Sequence, residues 1–302
     1  MGYIIGIDAG GTKTTALVIS EKKEILYQTE SGIGNPAANY DLASQHLKDV
    51  VQECLKNEFG HQITGIAAGI AGIEAGDNRN KIQQDLLEVS NLPIILMNDA
   101  ELAHYAILEG NDGVITIAGT GSISFGKRDG QTSYSGGWGH LLGDEGSSYH
   151  IAVSACRKIT QAADAGRAFS EFEIAVMNEL QLSEPNDLKG FIYQSGKDRI
   201  AELTKSINEM ALSGNEEAVE LFKIAGKQLA MQTAALIRKM NFPSHIMTPI
   251  GGFGSLLLKN EMVQESFMED LKREIGSYTW MEAESSPALG AYYAWRDKGG
   301  IS

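Results

Sequence analysis

One short pattern occurs twice in the chain: a strand-like apolar run, a turn of glycine and threonine, and a second strand-like run. The first copy, GIDAGGT, covers residues 6–12, and the second copy, TIAGTGS, covers residues 116–122. Two strands joined through glycines are typical of a β-hairpin. Because the pattern begins again within 302 residues, it predicts two similar halves with a boundary near residue 114.

Strand-like and helix-like segments alternate between and after these hairpins. Strands are predicted at residues 3–8, 14–19, 63–71, 93–97, 113–118, 123–126 and 246–250, the last of them broken by Gly251 and Gly252. Helical spacing of apolar residues begins at residue 41, and the second half is richer in helices, with one long amphipathic helix over residues 218–240. This alternation favours an α/β layered fold.

The charge balance excludes one class of partner. The chain has 39 acidic and 25 basic residues, a formal net charge of -14, and a chain this acidic repels a nucleic acid backbone. The longest apolar stretch, residues 63–73, is too short to span a bilayer. The two cysteines, Cys54 and Cys156, lie far apart and outside any C-x-x-C motif. We therefore expect a cytoplasmic protein with two buried free thiols and no nucleic acid or membrane partner.

The first turn contains the residue types of a phosphate-binding loop. Gly10 and Gly11 let backbone N–H groups approach a phosphate without an intervening Cβ. Thr12 and Thr14 offer hydroxyl donors, and Lys13 offers a mobile positive charge. The alternative interpretation is a tight hairpin that binds nothing. The sequence fits neither the Walker A motif nor the G-x-G-x-x-G dinucleotide motif.

Two carboxylates come directly after buried strands. Asp8 ends the first strand and suits a Mg²⁺ ion held partly through water. Asp99 follows the strand at residues 93–97 and precedes a helix, which is where α/β sheets bind their ligands. Asp99 is therefore a candidate general base. The alternative is that Asp99 caps the helix, a position that Asp often fills.

Three further glycine-rich segments are candidate loops. Residues 119–122 form the second turn, which together with the first can clamp one polyphosphate, and residues 251–255 offer a flat backbone surface for a nucleotide. Residues 136–147 combine five glycines with Trp138 and Asp144. Such a loop suits a sugar, because a carboxylate accepts hydrogen bonds from hydroxyls and an aromatic ring packs against the sugar ring. The alternatives are that Trp138 fills a core and that Asp144 caps a helix.

Taken in order, these segments resemble the actin-like ATPase superfamily of sugar kinases, actin and Hsp70. The two phosphate loops, the adenosine loop and the two connecting segments of that superfamily are matched by residues 8–14, 117–122, 249–255, 97–103 and 286–293. Within the superfamily, the stretch WGHLLGDEGS at residues 138–147 is similar to the signature of N-acetylglucosamine kinases and of the BadF/BadG/BcrA/BcrD ATPase family.

The resemblance implies an α/β fold of two actin-like (ribonuclease H-like) lobes with a ligand cleft between them. The N-terminal lobe would comprise residues 1–114 and 287–302, and the C-terminal lobe residues 115–286. The resemblance also implies ATP and Mg²⁺ as cofactors, a small amino sugar as substrate and a homodimer as the assembly. The expected reaction is phosphorylation of the sugar 6-hydroxyl, on N-acetylglucosamine, glucosamine or N-acetylmuramic acid.

Roles for individual residues follow from the same resemblance. Asp99 would be the catalytic base that takes the proton from the sugar hydroxyl, and Asp8 would place Mg²⁺. The amino-sugar pocket would be lined by Asn35, Asp99, Thr120, Gly137, Trp138 and Asp144. ATP would be held by Gly10, Gly11, Thr12, Lys13, Thr14, Thr120, Gly121, Gly252 and Gly254.

The sequence departs from the family pattern at two places, and other functions stay open. Asn35 is followed by Pro36 rather than by an aromatic residue or histidine, and residues 69–72 lack a serine that some relatives offer the sugar. A ROK-type hexokinase would usually carry a cysteine-rich zinc motif. An activator ATPase of radical dehydratases would hold an iron–sulfur cluster with clustered thiolates. A non-catalytic sugar sensor is a third alternative, against which Asp8, Asp99 and both turns argue.

Overall fold

Two five-stranded sheets form the centre of the fold. The computed structural model describes residues 2–243, 245–282 and 286–299. The chain divides into two units around these sheets. The first unit consists of Met1–Ile115, Lys127–Gln131 and Trp280–Ser302, and the second of Thr116–Gly126 and Thr132–Thr279.

The strands and helices follow one another as the alternating pattern predicts. In the first part of the chain they are β1 (Tyr3–Ala9), β2 (Thr14–Ile19), β3 (Ile25–Ser31), α1 (Tyr40–Lys56), β4 (Ile63–Ile70), α2 (Asn78–Val89), β5 (Ile94–Met97) and α3 (Asp99–Leu108). Next come β6 (Gly113–Ala118), β7 (Ser122–Arg128), β8 (Gln131–Gly136), α4 (Ser148–Asp164), α5 (Glu171–Glu179), α6 (Leu188–Gln194), α7 (Lys197–Leu212) and α8 (Glu216–Lys239). The remaining elements are β9 (Thr248–Phe253), α9 (Ser255–Lys259), α10 (Glu261–Ile275), β10 (Tyr278–Met281) and α11 (Gly290–Asp297).

The strand order of the first sheet recurs in the second. The first sheet runs β3-β2-β1-β4-β5 and the second runs β8-β7-β6-β9-β10. In each sheet the strand before the Gly/Thr turn is central, the next two strands lie on one side of it, and the last two lie on the other. The repeated turn in the sequence therefore marks a repeated sheet.

Helices cover both faces of the first sheet. Alternate residues of a strand point to opposite faces, so Ile5 and Ile7 of β1 pack in the core that α1 and α2 close. Ile4 belongs to the core on the other face, where Leu102 of α3 and Trp295 of α11 pack. The sheet is therefore buried on both sides, and its ligand-accessible region is an edge where strands end.

Pairing within the first sheet sets the level at which each strand ends. β1 and β2 are antiparallel and pair Ala9 with Thr14, so residues 10–13 form the hairpin turn predicted from the sequence. β1, β4 and β5 are parallel. Asp8 pairs with Gly69 of β4, and Gly69 pairs with Met97 of β5. The carboxyl ends of these three strands therefore lie side by side.

One predicted strand is displaced in the structure. The sequence predicts a strand at residues 246–250 that the segment 251–255 breaks before a helix, whereas β9 starts at Thr248 and continues through Gly251 and Gly252 to Phe253. That prediction is wrong because glycine does not by itself end a strand whose backbone is paired within a sheet. Both glycines are buried, and the chain turns only at Gly254, where φ is +91°.

The helices are amphipathic rather than uniformly apolar. α8, with 24 residues, buries one side, which includes Leu221, Phe222 and Leu229, while charged residues occupy its first and last turns. Across the described residues, no helix is both long enough and apolar enough to cross a bilayer.

Candidate active site

Asp8 and Asp99 lie at the same edge of the first sheet. Asp8 is near the carboxyl end of β1, and Asp99 comes two residues after Met97 at the end of β5. One strand, β4, separates them, so β1 and β5 are two strand spacings or about 10 Å apart. Two partly buried carboxylates thus face the edge where α/β sheets bind ligands.

The surroundings of both carboxylates favour their protonated forms. Burial and the nearby charge of Asp99 raise the pKa of Asp8 from 3.8 to about 6, although Lys13 opposes this shift. Burial also raises the pKa of Asp99, and hydrogen bonds from backbone N–H groups offset only part of that effect. Perturbed carboxylates at a sheet edge are typical of functional sites.

Asp99 does not cap the helix that it begins. The N-cap of α3 is Asn98, whose Oδ1 accepts a hydrogen bond of 2.8 Å from the N–H of Ala100. Asp99 is the first helical residue. Asn98 rather than Asp99 therefore occupies the N-cap position, while backbone N–H groups at the start of α3 donate to the carboxylate of Asp99.

The first turn is exposed, and its cationic side chain already has a partner. Gly11, Thr12 and Lys13 are exposed, and the Nζ of Lys13 lies 2.9 Å from Oε1 of Glu30. Thr14 is fully buried, and its hydroxyl donates to the carbonyl of Gly32. Thr14 therefore stabilises the base of the turn from within the sheet.

Asn35 lies beside the first turn and shapes the backbone there. The N–H of Gly34 donates to the carbonyl of Gly10 over 2.9 Å. The side-chain carbonyl of Asn35 accepts hydrogen bonds from the N–H groups of Ala37 and Ala38. Both hydrogen bonds use the side-chain carbonyl oxygen of Asn35, so this oxygen helps to hold the loop in its conformation.

In the second unit, the helix α4 is attached to the turn at residues 119–122. The N–H groups of Ser148 and Tyr149 donate to the carbonyls of Gly119 and Thr120. The N-cap of α4 is Ser147, whose hydroxyl accepts from the N–H of His150. The suggestion that Asp144 caps this helix is therefore wrong.

Asp144 instead forms a buried ion pair. Its side chain is almost inaccessible, at 3% exposure for the residue. Its Oδ1 accepts a hydrogen bond of 3.1 Å from the N–H of Ser122, and its Oδ2 lies 2.8 Å from the Nζ of Lys197 at the start of α7. The carboxylate thus lies directly against the second turn, because a Cβ added to Gly121 would come within 3.1 Å of both its oxygens.

The glycine-rich loop carries apolar side chains on its surface. Trp138 is 65% exposed and meets Tyr134 edge to face, with ring centroids 6.2 Å apart. Trp138 therefore does not fill a core, and that alternative is wrong. Leu141 and Leu142 are also exposed. The N–H of Gly137 donates to the carbonyl of Ser122, which attaches the loop to the second turn.

The two glycines predicted to hold adenosine differ in their surroundings. Gly252 is buried inside β9. Gly254 has a φ of +91°, and a Cβ there would lie 2.3 Å from the carbonyl oxygen of Ala118. Only glycine fits at such a site. Gly254 therefore lies against the end of β6, where the second turn begins.

A comparison with protein families matches residues 5–293 to the BadF/BadG/BcrA/BcrD ATPase family. The chain belongs to this family. The chain is 30% identical over 264 residues to an N-acetylmuramic acid/N-acetylglucosamine kinase of Clostridium acetobutylicum. The alignment covers 83% of this chain and 85% of the relative. An N-acetyl-D-glucosamine kinase of Dictyostelium discoideum is 25% identical over 308 residues, or 95% of each chain.

A solved structure described as an N-acetylglucosamine kinase, from Chromobacterium violaceum, is similar to this chain in fold. The TM-score is 0.74 at 19% identity, and the alignment covers 97% of this chain and 98% of the other. This likeness confirms the predicted α/β fold of two actin-like lobes.

Among the described residues, the two cysteines of this chain are not part of a cluster of metal ligands. Cys54 and Cys156 are both buried free thiols, and burial raises the pKa of each to about 12. In the part of the chain that the structure describes, no three His, Cys, Asp or Glu residues are grouped as metal ligands. Neither thiol is therefore placed or ionised as a ligand of an iron–sulfur cluster.

One residue of the candidate site had no signal in the sequence. Lys197 lies 53 positions after Asp144, in a helix of ordinary amphipathic composition and outside every glycine-rich motif. Only the fold brings its ammonium to Asp144 and Gly121. The sole available indication was that a buried carboxylate requires a cationic partner.

Proposed function

We propose that this protein is an ATP-dependent kinase that phosphorylates the 6-hydroxyl of an amino sugar, with N-acetylglucosamine as the first candidate substrate. The observation that carries the proposal is Asp99. Its carboxylate follows the carboxyl end of β5, burial raises its pKa, and Asn98 rather than Asp99 caps the helix. The names of the similar kinases support an amino sugar as the acceptor.

Asp99 would orient the sugar hydroxyl and accept its proton as the bond to phosphorus forms. A general base works best when its pKa is close to the working pH, and burial moves the pKa of Asp99 in that direction. In phosphoryl transfer, most of the catalysis comes from positioning and from neutralising charge. The protein therefore needs one set of groups that positions the acceptor hydroxyl and a separate set that binds the phosphate and neutralises its charge.

The glycine turns supply the groups for ATP in this proposal. In the first turn, Gly11 and Thr12 are exposed and would offer backbone N–H groups and a hydroxyl, with Lys13 adding a positive charge. The N–H of Gly10 already donates to the carbonyl of Lys13, so Gly10 would contribute close approach of its backbone to the phosphate. Thr14 would keep the turn in shape, since its hydroxyl is already donated to Gly32. In the second unit, ATP would contact Thr120, Gly121, Gly252 and Gly254.

The residues fit a Mg²⁺ ion that is held mainly by phosphate and water. Mg²⁺ usually binds only one or two carboxylates of a protein in such sites, and among the described residues, the exposed Lys13 is the cation whose charge acts on the carboxylate of Asp8. The unfavourable burial of its charge is what a divalent cation would relieve. Bound Mg²⁺ would neutralise phosphate charge, and Asp8 would orient it through water.

The amino sugar would be bound by Asn35, Thr120, Gly137, Trp138 and Asp144, in addition to Asp99. Trp138 offers an exposed aromatic face, and Asp144 offers a fixed carboxylate acceptor.

We also propose that the enzyme works in the cytoplasm as a homodimer. Light scattering after size-exclusion chromatography would test the dimer.

The direct test measures ADP formation with N-acetylglucosamine, glucosamine, N-acetylmuramic acid and glucose. We expect turnover with at least one amino sugar and much less with glucose, and the product should be the 6-phosphate by NMR. Sugar binding without any ADP formation would indicate a non-catalytic sensor instead. An iron–sulfur absorbance band in anaerobically purified protein would indicate an activator ATPase.

A further inference from the structure

Lys197 and Asp144 form an ion pair that lies against the second turn, at residues 119–122 of the second unit. The Nζ of Lys197 lies 2.8 Å from Oδ2 of Asp144, and a Cβ added to Gly121 would lie 2.6 Å from the same nitrogen. The side chain of Lys197 is about one-third exposed, at 30%, while that of Asp144 is at 4%. The ammonium thus reaches from the surface to a buried carboxylate.

Two contacts and the backbone conformation together fix the orientation of the Asp144 carboxylate. The backbone of Asp144 is in the left-handed region, with a φ of +65°, which Asp tolerates better than most residues but which still costs free energy. The N–H of Ser122 holds Oδ1 and Lys197 holds Oδ2. Oδ2 is buried and accepts no hydrogen bond of good geometry, so its close ion pair with Lys197 is the contact that compensates its charge.

The charge balance argues against a phosphate-binding role for this lysine. An ammonium that is paired with a buried carboxylate carries little net charge toward a third group, because the two charges largely cancel beyond the pair. A carboxylate that is held by donors keeps acceptor capacity, because its two oxygens offer about four lone-pair positions. The arrangement therefore suits a ligand that donates hydroxyl groups better than one that is an anion.

We propose that Lys197 is a positioning residue for the sugar site, which acts by holding the Asp144 carboxylate in the orientation that accepts sugar hydroxyls. The inference rests on the proposed function, because it takes an amino sugar as the ligand of Asp144. It adds a residue from α7 that lies outside all the sequence motifs. It also gives Gly121 a reason to lack a side chain, since any Cβ would occupy the space of the ammonium.

The test measures binding by calorimetry, with N-acetylglucosamine alone and with ADP alone. A hydrogen bond to a charged group contributes about 1.5–3 kcal/mol, so Lys197→Met should raise the Kd for the sugar about 10-fold to 100-fold. The Kd for ADP should stay within about twofold. Lys197→Arg keeps the charge and should bind the sugar more tightly than Lys197→Met does. Lys205→Met, which removes an exposed lysine from the same helix, is the matched control and should change neither Kd.

A double variant separates positioning from direct contact. If Lys197 acts only through Asp144, then Asp144→Asn and Asp144→Asn/Lys197→Met should bind the sugar within about twofold of each other. The double variant also removes both charges, which keeps the test valid if Lys197→Met alone fails to fold. A further loss in the double variant would overturn the positioning role.

Other results would also overturn the inference, and one of them would overturn the proposed function as well. Unchanged sugar affinity in Lys197→Met would show that Asp144 needs no help from Lys197. A higher Kd for ADP with unchanged sugar affinity would show that the ammonium of Lys197 interacts with phosphate instead. If the wild-type protein binds no amino sugar, the proposed function fails and this inference fails with it, whereas a failure confined to the variants leaves the kinase proposal intact.

Discussion

Asp8 and Asp99 lie close to the carboxyl ends of β1 and β5, the two parallel strands on either side of β4, and burial together with the charge of Asp99 raises the pKa of Asp8 to about 6. The two carboxylates have different roles in the proposed function, in which Asp99 would face the acceptor hydroxyl and Asp8 would face the metal-bound phosphate. Two measurements distinguish the effects of burial from the roles in the reaction. The free energy of unfolding reports on the burial of each carboxylate, and the turnover rate reports on its part in the chemistry.

Asp99→Asn should abolish most of the turnover while the protein stays folded. An amide of the same shape does not readily accept a proton, and loss of a general base commonly costs about 10²–10⁴-fold. The kcat should fall more than the affinity for sugar or ATP. Glu101→Gln, in the same turn of α3 and paired with Lys298, is the control and should retain activity. A kcat near the wild-type value for Asp99→Asn would remove Asp99 from the mechanism.

Asp8→Asn should stabilise the protein at high pH in the absence of ligands. The unfolded pKa is 3.8 and the folded pKa is about 6, so protonated Asp8 contributes stability below pH 3.8 that is lost as the pH rises through 6. The variant should therefore gain up to about 3 kcal/mol in unfolding free energy at pH 8, and the gain should shrink toward zero near pH 4. Urea unfolding at both pH values measures it. Glu58→Gln, which removes an exposed carboxylate, should show no such pH dependence, and a gain equal at both pH values would contradict the cause given.

Trp138→Ala should weaken sugar binding with little effect on stability. Because the ring is 65% exposed, its removal should change the unfolding free energy by no more than about 0.5 kcal/mol. An aromatic contact of about 0.5–1.5 kcal/mol corresponds to a two-fold to ten-fold rise in the sugar Kd. Leu141→Ala, also exposed on this loop, serves as the control. Equal sugar affinities for all three proteins would exclude Trp138 from the pocket.

Gly254→Ala should destabilise the protein more than Gly214→Ala. Both glycines have nearly the same φ, +91° and +89°, and Gly254 also has a ψ of 148°, a combination that is essentially restricted to glycine. A Cβ at Gly254 would lie 2.3 Å from the carbonyl oxygen of Ala118, whereas one at Gly214 would meet nothing within 4 Å. Gly214→Ala should cost about 1–3 kcal/mol in unfolding free energy, and Gly254→Ala should cost more and should weaken ADP binding. Equal losses in the two variants would show that the contact with Ala118 has no energetic role.

The sequence predicted the apolar strands, including the edge strand β5 of the first sheet, and it missed β8 and β10, the two edge strands of the second sheet. The predicted bounds of β2 and β6 agree with the structure because each is a continuous apolar run. β8 is mostly polar and exposed, and β10 has only four residues. Edge strands like these bury little surface, so their sequences carry no clear period.

The candidate site was predictable where it follows the chain and not where it depends on packing. The turn at residues 119–122 and Asp99 could be found because each comes directly after a strand. The partners that decide their roles could not be found in the same way. Asn98 and Ser147 take the capping positions that the sequence also offered to Asp99 and Asp144, and Lys197 reaches Asp144 only through the tertiary fold.

The position of α11 has a consequence for synthesis on the ribosome. This helix comes after all of the second unit in the sequence, yet Ala291, Ala294 and Trp295 pack on one face of the first sheet. Until they emerge, the nascent chain exposes the apolar residues of that face, among them Leu17 and Leu102. Exposed apolar surface and unfinished packing make such intermediates prone to aggregation. The first unit to be translated is thus the last to be completed, and premature termination before residue 290 leaves a product whose uncovered face chaperones and proteases can recognise.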